Sequence, residues 1–197
     1  MKERLIDLLR RHSYRYDPES RFRLTSGKLS AFYVDCKATT MRGDAADVVG
    51  ALVADRLPSG VTAVGGLTMG ADPIALATAA YATRHGRPLD AFSVRKEPKK
   101  HGLARWIEGA AASNATVAVV DDVVTTGGST IEAIRRCREA GLTVAAVVVL
   151  VNRQEEDGLA TIEREAGPGV PVSAIVTLAE LRTDADLRTG DARSAAR

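Results

Sequence analysis

The chain has 197 residues, 45% of them hydrophobic and 26% charged, which suits one globular unit and excludes a disordered or fibrous chain. Its 27 Lys and Arg against 25 Asp and Glu leave a formal charge of +2, too even to mark a nucleic-acid or membrane-surface binder. The longest apolar run, residues 144–151, falls far short of the roughly 20 residues that span a bilayer.

Leu5, Ile6, Leu8 and Leu9 recur at helical spacing, which predicts an amphipathic helix over residues 2–12. Residues 32–36 read as a strand. Residues 44–57 read as a second helix, with Val48, Val49, Leu52, Val53 and Leu57 on one face and Pro58 as its stop. Units of strand, turn and helix then repeat. A strand at 61–64 meets a Gly65-Gly66 turn and an Ala-rich helix at 73–82, and further strands are expected at 89–94 and 116–120. A helix at 128–140 closes on Gly141, followed by a strand at 143–151, a helix near 159–166 and a strand at 172–176.

The strands at 117–120 and 147–150 are apolar throughout rather than alternating, as parallel strands covered on both faces must be. The expected fold is therefore α/β, a doubly wound and mostly parallel central sheet flanked by helices. No composition break marks a second domain, so residues 1–182 read as one. Residues 183–197 carry Leu187 among Asp and Arg and are expected to form a poorly ordered polar tail. Met1-Lys2-Glu3-Arg4 leads into a charged segment rather than an apolar leader, and Cys36 and Cys137 are too few for a disulfide framework or a zinc site. A reducing cytoplasm is the expected setting.

The most informative junction runs from Val117 through Asp121, Asp122, Val123, Val124, Thr125, Thr126, Gly127, Gly128, Ser129 and Thr130. An apolar strand ends in two carboxylates and enters a Thr/Gly/Ser turn that opens a helix. Glycines let backbone N–H groups converge on a phosphate, hydroxyls add donors, and the helix start adds positive partial charge. The two acids would repel a phosphate unless they meet ribose hydroxyls, which donate to carboxylate oxygens. Neither a P-loop nor a Gly-x-Gly-x-x-Gly stretch is present. A plain acidic cap before an ordinary turn is the blander alternative.

This string resembles the phosphoribosyl-pyrophosphate signature of the type I phosphoribosyltransferases, and segments from about Phe22 to Leu181 resemble the orotate phosphoribosyltransferase family. The resemblance implies a small amino-terminal hood, residues 1–40, on the main sheet. It also implies that Asp121 and Asp122 hold the ribose hydroxyls, with Val123 and Val124 beside them, and that Thr125, Thr126, Gly127, Gly128 and Ser129 hold the 5′-phosphate.

Arg95-Lys96-Glu97-Pro98-Lys99-Lys100-His101 places four bases against one acid directly after a predicted strand. Such a run is most often a solvated face. Here it sits where ligands of an α/β sheet bind and leads into a long segment with few periodic apolar residues, as a lid would. It resembles the catalytic loop of the family, in which Arg95, Lys96, Lys99 and His101 would contact the substrate across a homodimer. Lys96, Lys99, His101 and Asp122 are thereby the expected catalytic residues.

Three further segments extend the resemblance. Residues 22–33 resemble the base-binding segment, where Tyr33 could stack on a pyrimidine, although an aromatic at a strand start is commonly core. Many relatives carry Lys where Thr25 stands. Asn152-Arg153-Gln154-Glu155 follows the long strand. Arg153 is the candidate for the orotate carboxylate, since a guanidinium pairs with a carboxylate through two parallel hydrogen bonds. Thr125 would join it in holding orotate. Thr68, Met69 and Gly70 are expected to form a pyrophosphate-binding turn. Magnesium is expected on the pyrophosphate, with no protein ligand. The implied reaction is transfer of phosphoribose from phosphoribosyl pyrophosphate to orotate. Transfer to a purine or to uracil, and a non-enzymatic regulator that senses phosphoribosyl pyrophosphate, are the rival readings.

Overall fold

The computed structural model describes residues 1–19, 22, 23, 27, 29–98, 106–183 and 186. Helix α1 (Lys2–His12) forms on the expected apolar stripe, and Leu5, Ile6, Leu8 and Leu9 are all buried. It opens a small amino-terminal layer. Strand β1 (Tyr14–Tyr16) pairs antiparallel with β4 (Phe32–Val34), and β2 (Phe22–Arg23) with β3 (Leu29–Ser30). Phe32 anchors this layer: its ring lies 6.3 Å from that of Tyr14 and 5.2 Å from that of Tyr16, with the Arg182 guanidinium 4.7 Å above it. Helices α2 (Lys37–Thr40) and α3 (Gly43–Ala54) lead into the main sheet.

That sheet is built from β5 (Ala63–Leu67), β6 (Asp90–Val94), β7 (Ile107–Gly109), β8 (Thr116–Val124), β9 (Thr143–Asn152) and β10 (Val172–Thr177). The spatial order is β10-β9-β8-β5-β6-β7, every pair parallel except β6 with β7. Helix α4 (Asp72–Arg84) links β5 to β6, α5 (Gly128–Glu139) links β8 to β9, and α6 (Gly158–Ala166) links β9 to β10. A last turn of helix, α7 (Leu178–Leu181), is held by a capping box between Thr177 and Glu180.

Successive residues of β8 point to opposite faces, and both faces are dry. Ala118 and Val120 join a core with α1, α3 and α4, whereas Val117 and Val119 join a second core with α5 and α6. Unbroken apolarity along the strand thus matches helices on both sides, and the α/β doubly wound reading holds. Cys36 and Cys137 are both free and buried.

Three details depart from the sequence reading. Gly65 and Gly66 lie inside β5 rather than in a turn. Cβ atoms there would stand 2.2 Å from the Phe92 carbonyl and 2.1 Å from the Val120 carbonyl, so the neighbouring strands close on the missing side chains. The segment after the basic run contains strand β7, a three-residue antiparallel edge too short to show a period. Strand β8 continues to Val124, so the paired acids stand within it, Asp121 opposite Val149 of β9. In the stretch expected to be loose, Asp186 is buried and accepts hydrogen bonds from the Tyr14 hydroxyl and the Thr183 N–H, both at 2.8 Å. Leu187 and the remainder of that stretch lie outside the described residues. No helix among the described residues is long and apolar enough to cross a membrane.

Candidate active site

The chain leaves β5 for β6 on one side and reaches β8 on the other, so the order of connection reverses between β5 and β8. Helices leave to opposite faces at such a point and a crevice opens beyond the strand ends. A cleft of about 690 Å³ lies there, between the turn after β5 and the turn after β8. Asp121, Asp122, Val123, Val124, Thr125, Thr126, Gly127, Gly128 and Ser129 line one wall, and Thr68, Met69 and Gly70 line the other.

The turn after β8 is shaped by Gly127, whose φ of 84° lies in the left-handed region. A side chain there would also collide with α6, since its Cβ would stand 2.8 Å from the Gly158 carbonyl. No side chain caps α5. Its first N–H groups therefore face the cleft with only a long 3.5 Å contact from Gly128 to the Thr126 hydroxyl. A phosphate placed there meets converging donors and the positive end of a helix.

The two acids differ in their surroundings. Asp121 accepts from the Thr130 hydroxyl at 2.6 Å and from the Asp122 N–H at 3.0 Å, deep in the sheet. Burial, with the neighbouring Asp122 charge adding to it, pushes the Asp121 carboxyl up to about 7. Asp122 accepts from the Val123 N–H at 2.9 Å through Oδ1, and its Oδ2 stands 3.6 Å from Nζ of Lys37.

The turn after β5 is fastened from below. The Thr68 hydroxyl and the Ser93 hydroxyl each donate to Asp72 at 2.6 Å, and the Thr68 N–H donates to the Val94 carbonyl at 2.8 Å. The Thr68-Met69 peptide is cis, and the Met69 side chain is exposed. Gly70 packs directly against Asp122.

The cations divide. Lys96 lines the cleft. Arg95 faces β7 instead, 3.5 Å from Glu108, with its Nε donating to the Glu97 carbonyl at 3.1 Å. Lys99 and His101 lie outside the described residues, as do Lys100 and Thr25. Arg153 is not among the cleft-lining residues. Its guanidinium is buried, held by Glu155 through Nε and Nη2, both at 3.2 Å, and Nη2 also donates to the Phe32 carbonyl at 3.0 Å. Tyr33 is exposed, stacks on Phe22 at 5.5 Å and does not line the cleft.

Sequence reasoning missed two lining residues, Leu67 and Lys37. Leu67 was hidden by the mistaken turn at Gly65-Gly66. Lys37 belongs to no motif, and its one local signal is Asp35 two positions earlier, to which it is paired at 2.9 Å.

No family model matches the chain. An orotate phosphoribosyltransferase of Aquifex aeolicus is 42% identical over 181 residues, 91% of this chain and 97% of that relative. One from Streptomyces avermitilis is 46% identical over 149 residues, 75% and 80% of the two chains. Among solved structures, the Mycobacterium tuberculosis orotate phosphoribosyltransferase in complex with Fe(III) dicitrate aligns with a TM-score of 0.77 at 34% identity, over 92% of this chain and 99% of the other. The same protein in complex with 5-phospho-α-D-ribosyl 1-diphosphate aligns with a TM-score of 0.71 at 31% identity, over 92% and 91%. A cleft at the switch point, a phosphate-shaped turn beside paired acids and likeness over nearly the full length converge: the chain belongs to the orotate phosphoribosyltransferase family.

Proposed function

We propose that this chain transfers the phosphoribosyl group of phosphoribosyl pyrophosphate to orotate, giving orotidine 5′-monophosphate and pyrophosphate in the making of pyrimidine nucleotides. The observation that carries this reading is the cleft between β5 and β8, which sets an uncapped helix start, two carboxylates and a second anion-suited turn around one space. Those three parts suit the 5′-phosphate, the ribose hydroxyls and the pyrophosphate of a single substrate.

The chemistry needs no covalent intermediate on the protein. A ring nitrogen of orotate forms a bond to the anomeric carbon as the bond to pyrophosphate breaks, the nitrogen's proton passing to the departing diphosphate or to water, and the sugar passes through a cation-like state. Asp121 and Asp122 hold the ribose hydroxyls, residues 125–129 hold the phosphate, and residues 68–70 receive the leaving group. Holding both reactants in line converts an encounter into a positioned step. Thr125 and Arg153 are assigned to orotate, with Tyr33 at its ring. Lys96, Lys99 and His101 neutralise the pyrophosphate and shut out water.

Magnesium is expected to enter with the substrate. Among the described residues no three His, Cys, Asp or Glu side chains stand together as a metal cage, and both oxygens of Asp121 already accept hydrogen bonds. A hard cation would suit the oxygen-rich diphosphate that this reading places in the cleft. Bound in this way it would neutralise charge on the leaving group. The reading includes a homodimer in which the basic loop, residues 95–109, serves the neighbouring subunit's cleft.

The test is pyrophosphate release from phosphoribosyl pyrophosphate and magnesium, measured with orotate, hypoxanthine, adenine and uracil in parallel. Release with orotate alone is expected. Turnover with a purine or uracil, or none with orotate, overturns the reading.

A further inference from the structure

Lys37 stands in the cleft without a part in the scheme above. Its ammonium lies 2.9 Å from Oδ1 of Asp35, a hydrogen-bond length, and 3.6 Å from Oδ2 of Asp122, which is too long for one. An ammonium carries three donors, so this arrangement fixes the lysine at Asp35 and leaves donor capacity on the cleft side. Its base is firm. The Lys37 N–H also donates to Asp35, at 3.2 Å, and Thr39 of the same short helix is buried, its hydroxyl 2.6 Å from that of Ser13.

Its place in the cleft says which part of a ligand it meets. Asp122 has Gly70 against its Oδ1 and Lys37 near its Oδ2, so the lysine and the turn after β5 flank the same carboxylate. Of the described lining residues, two are lysines and two are aspartates. Lys96 belongs to the basic run, so among the described lining residues Lys37 is the cation from the amino-terminal layer. A polyanion entering between these walls and lying against the turn after β5 comes within reach of Lys37, across Asp122 from Gly70. Asp35 and Asp122 both hold its ammonium charged, raising it above the ordinary lysine value.

We infer that Lys37 contacts the diphosphate group of the substrate, its ammonium moving from Asp122 to a diphosphate oxygen while Asp35 keeps it oriented. This rests on the transfer reaction proposed above. It adds the amino-terminal layer to an anion site otherwise assigned to the turn at residues 68–70 and to the basic loop.

The experiment is calorimetric binding, with magnesium present, of phosphoribosyl pyrophosphate, inorganic pyrophosphate and ribose 5-phosphate to the parent protein and to Lys37→Met, Lys37→Gln and Lys37→Arg. Loss of a charge-assisted hydrogen bond predicts at least about tenfold weaker binding of both diphosphates to Lys37→Met and Lys37→Gln. Ribose 5-phosphate binding and the melting temperature should not move, and Lys37→Arg should recover most of the loss. Unchanged diphosphate binding overturns the inference. So does an equal loss of ribose 5-phosphate, which would make Lys37 a positioning residue for Asp122. A parent protein that fails to bind phosphoribosyl pyrophosphate sinks the proposed reaction itself. A parent that binds while the Lys37 variants match it sinks this inference alone.

Discussion

A Cβ on Gly70 would stand 2.6 Å from Oδ1 of Asp122, so the turn after β5 and the acid in β8 are fitted to one another with no room for a side chain. The colliding atom is the end of a side chain rather than backbone. Gly70→Ala should therefore fold with little change in melting temperature while pushing the carboxylate out of place. If Asp122 holds the sugar as proposed, a misplacement of this size costs on the order of tenfold to a hundredfold in rate. Steady-state kinetics should show kcat/KM for phosphoribosyl pyrophosphate falling by that much with KM for orotate little altered. Wild-type kinetics in a folded variant would mean that Asp122 does not hold the sugar.

Asp121 makes a second, pH-dependent prediction. Its carboxyl is raised chiefly by burial, from 3.8 to about 7. A raised acid stabilises the fold fully below its unfolded value, and that stability is lost as pH climbs through the folded one. Between about pH 4 and pH 8 the parent should therefore lose stability relative to Asp121→Asn, on the order of 4 kcal/mol. Denaturant unfolding of both proteins across that range measures the difference. Ribose hydroxyls donating to Asp121 favour its ionised form, so binding of phosphoribosyl pyrophosphate near pH 6 should also release a proton, seen as a buffer-dependent binding enthalpy. Parallel stability curves for the two proteins would remove Asp121 as the titrating group.

Much of this arrangement is legible in the sequence, and what is not has physical causes. The dry faces of β8 and β9 announce themselves because a doubly covered strand must be apolar, and the turn that lines the cleft because a run of Thr, Gly and Ser at a strand-to-helix junction is uncommon. Gly65 and Gly66 mislead because glycine signals both a turn and a close approach of strands, and only the neighbours Phe92 and Val120 decide which. Strand β7 depends on pairing with β6 rather than on its own three residues. Lys37 is invisible for the same reason: its partner Asp122 lies 85 positions away in the chain.

Arg153 is the residue proposed for the orotate carboxylate, yet Glu155 already holds it through Nε and Nη2, both at 3.2 Å. If the substrate's carboxylate is to take this fork, it must displace that of Glu155. Glu155→Gln should then lower KM for orotate, by about threefold for the loss of a charge-assisted contact shared with solvent. Arg153→Ala should do more than weaken orotate. The guanidinium also ties the Phe32 carbonyl and the Ser30 hydroxyl to the main sheet, so a buried network breaks and stability should drop by about 3 kcal/mol. Orotate KM for Glu155→Gln separates the two roles, because an unchanged value leaves Arg153 as a fastening between the layers and nothing more.

The shared-loop reading is tested by complementation. Lys99→Ala damages the donated loop and Asp122→Asn damages the receiving cleft, so either variant alone has both sites of its homodimer broken. In a hybrid the two defects fall on the same cleft and the other cleft is intact. Random exchange makes half of the dimers hybrids, each with one working site, so an equal mixture should recover about a quarter of the parent's activity. Subunits labelled to different masses show that exchange has taken place. A fully exchanged mixture as inactive as either variant would place the loop over its own cleft, because in that geometry each subunit of the hybrid keeps its own defect and no combination restores a site.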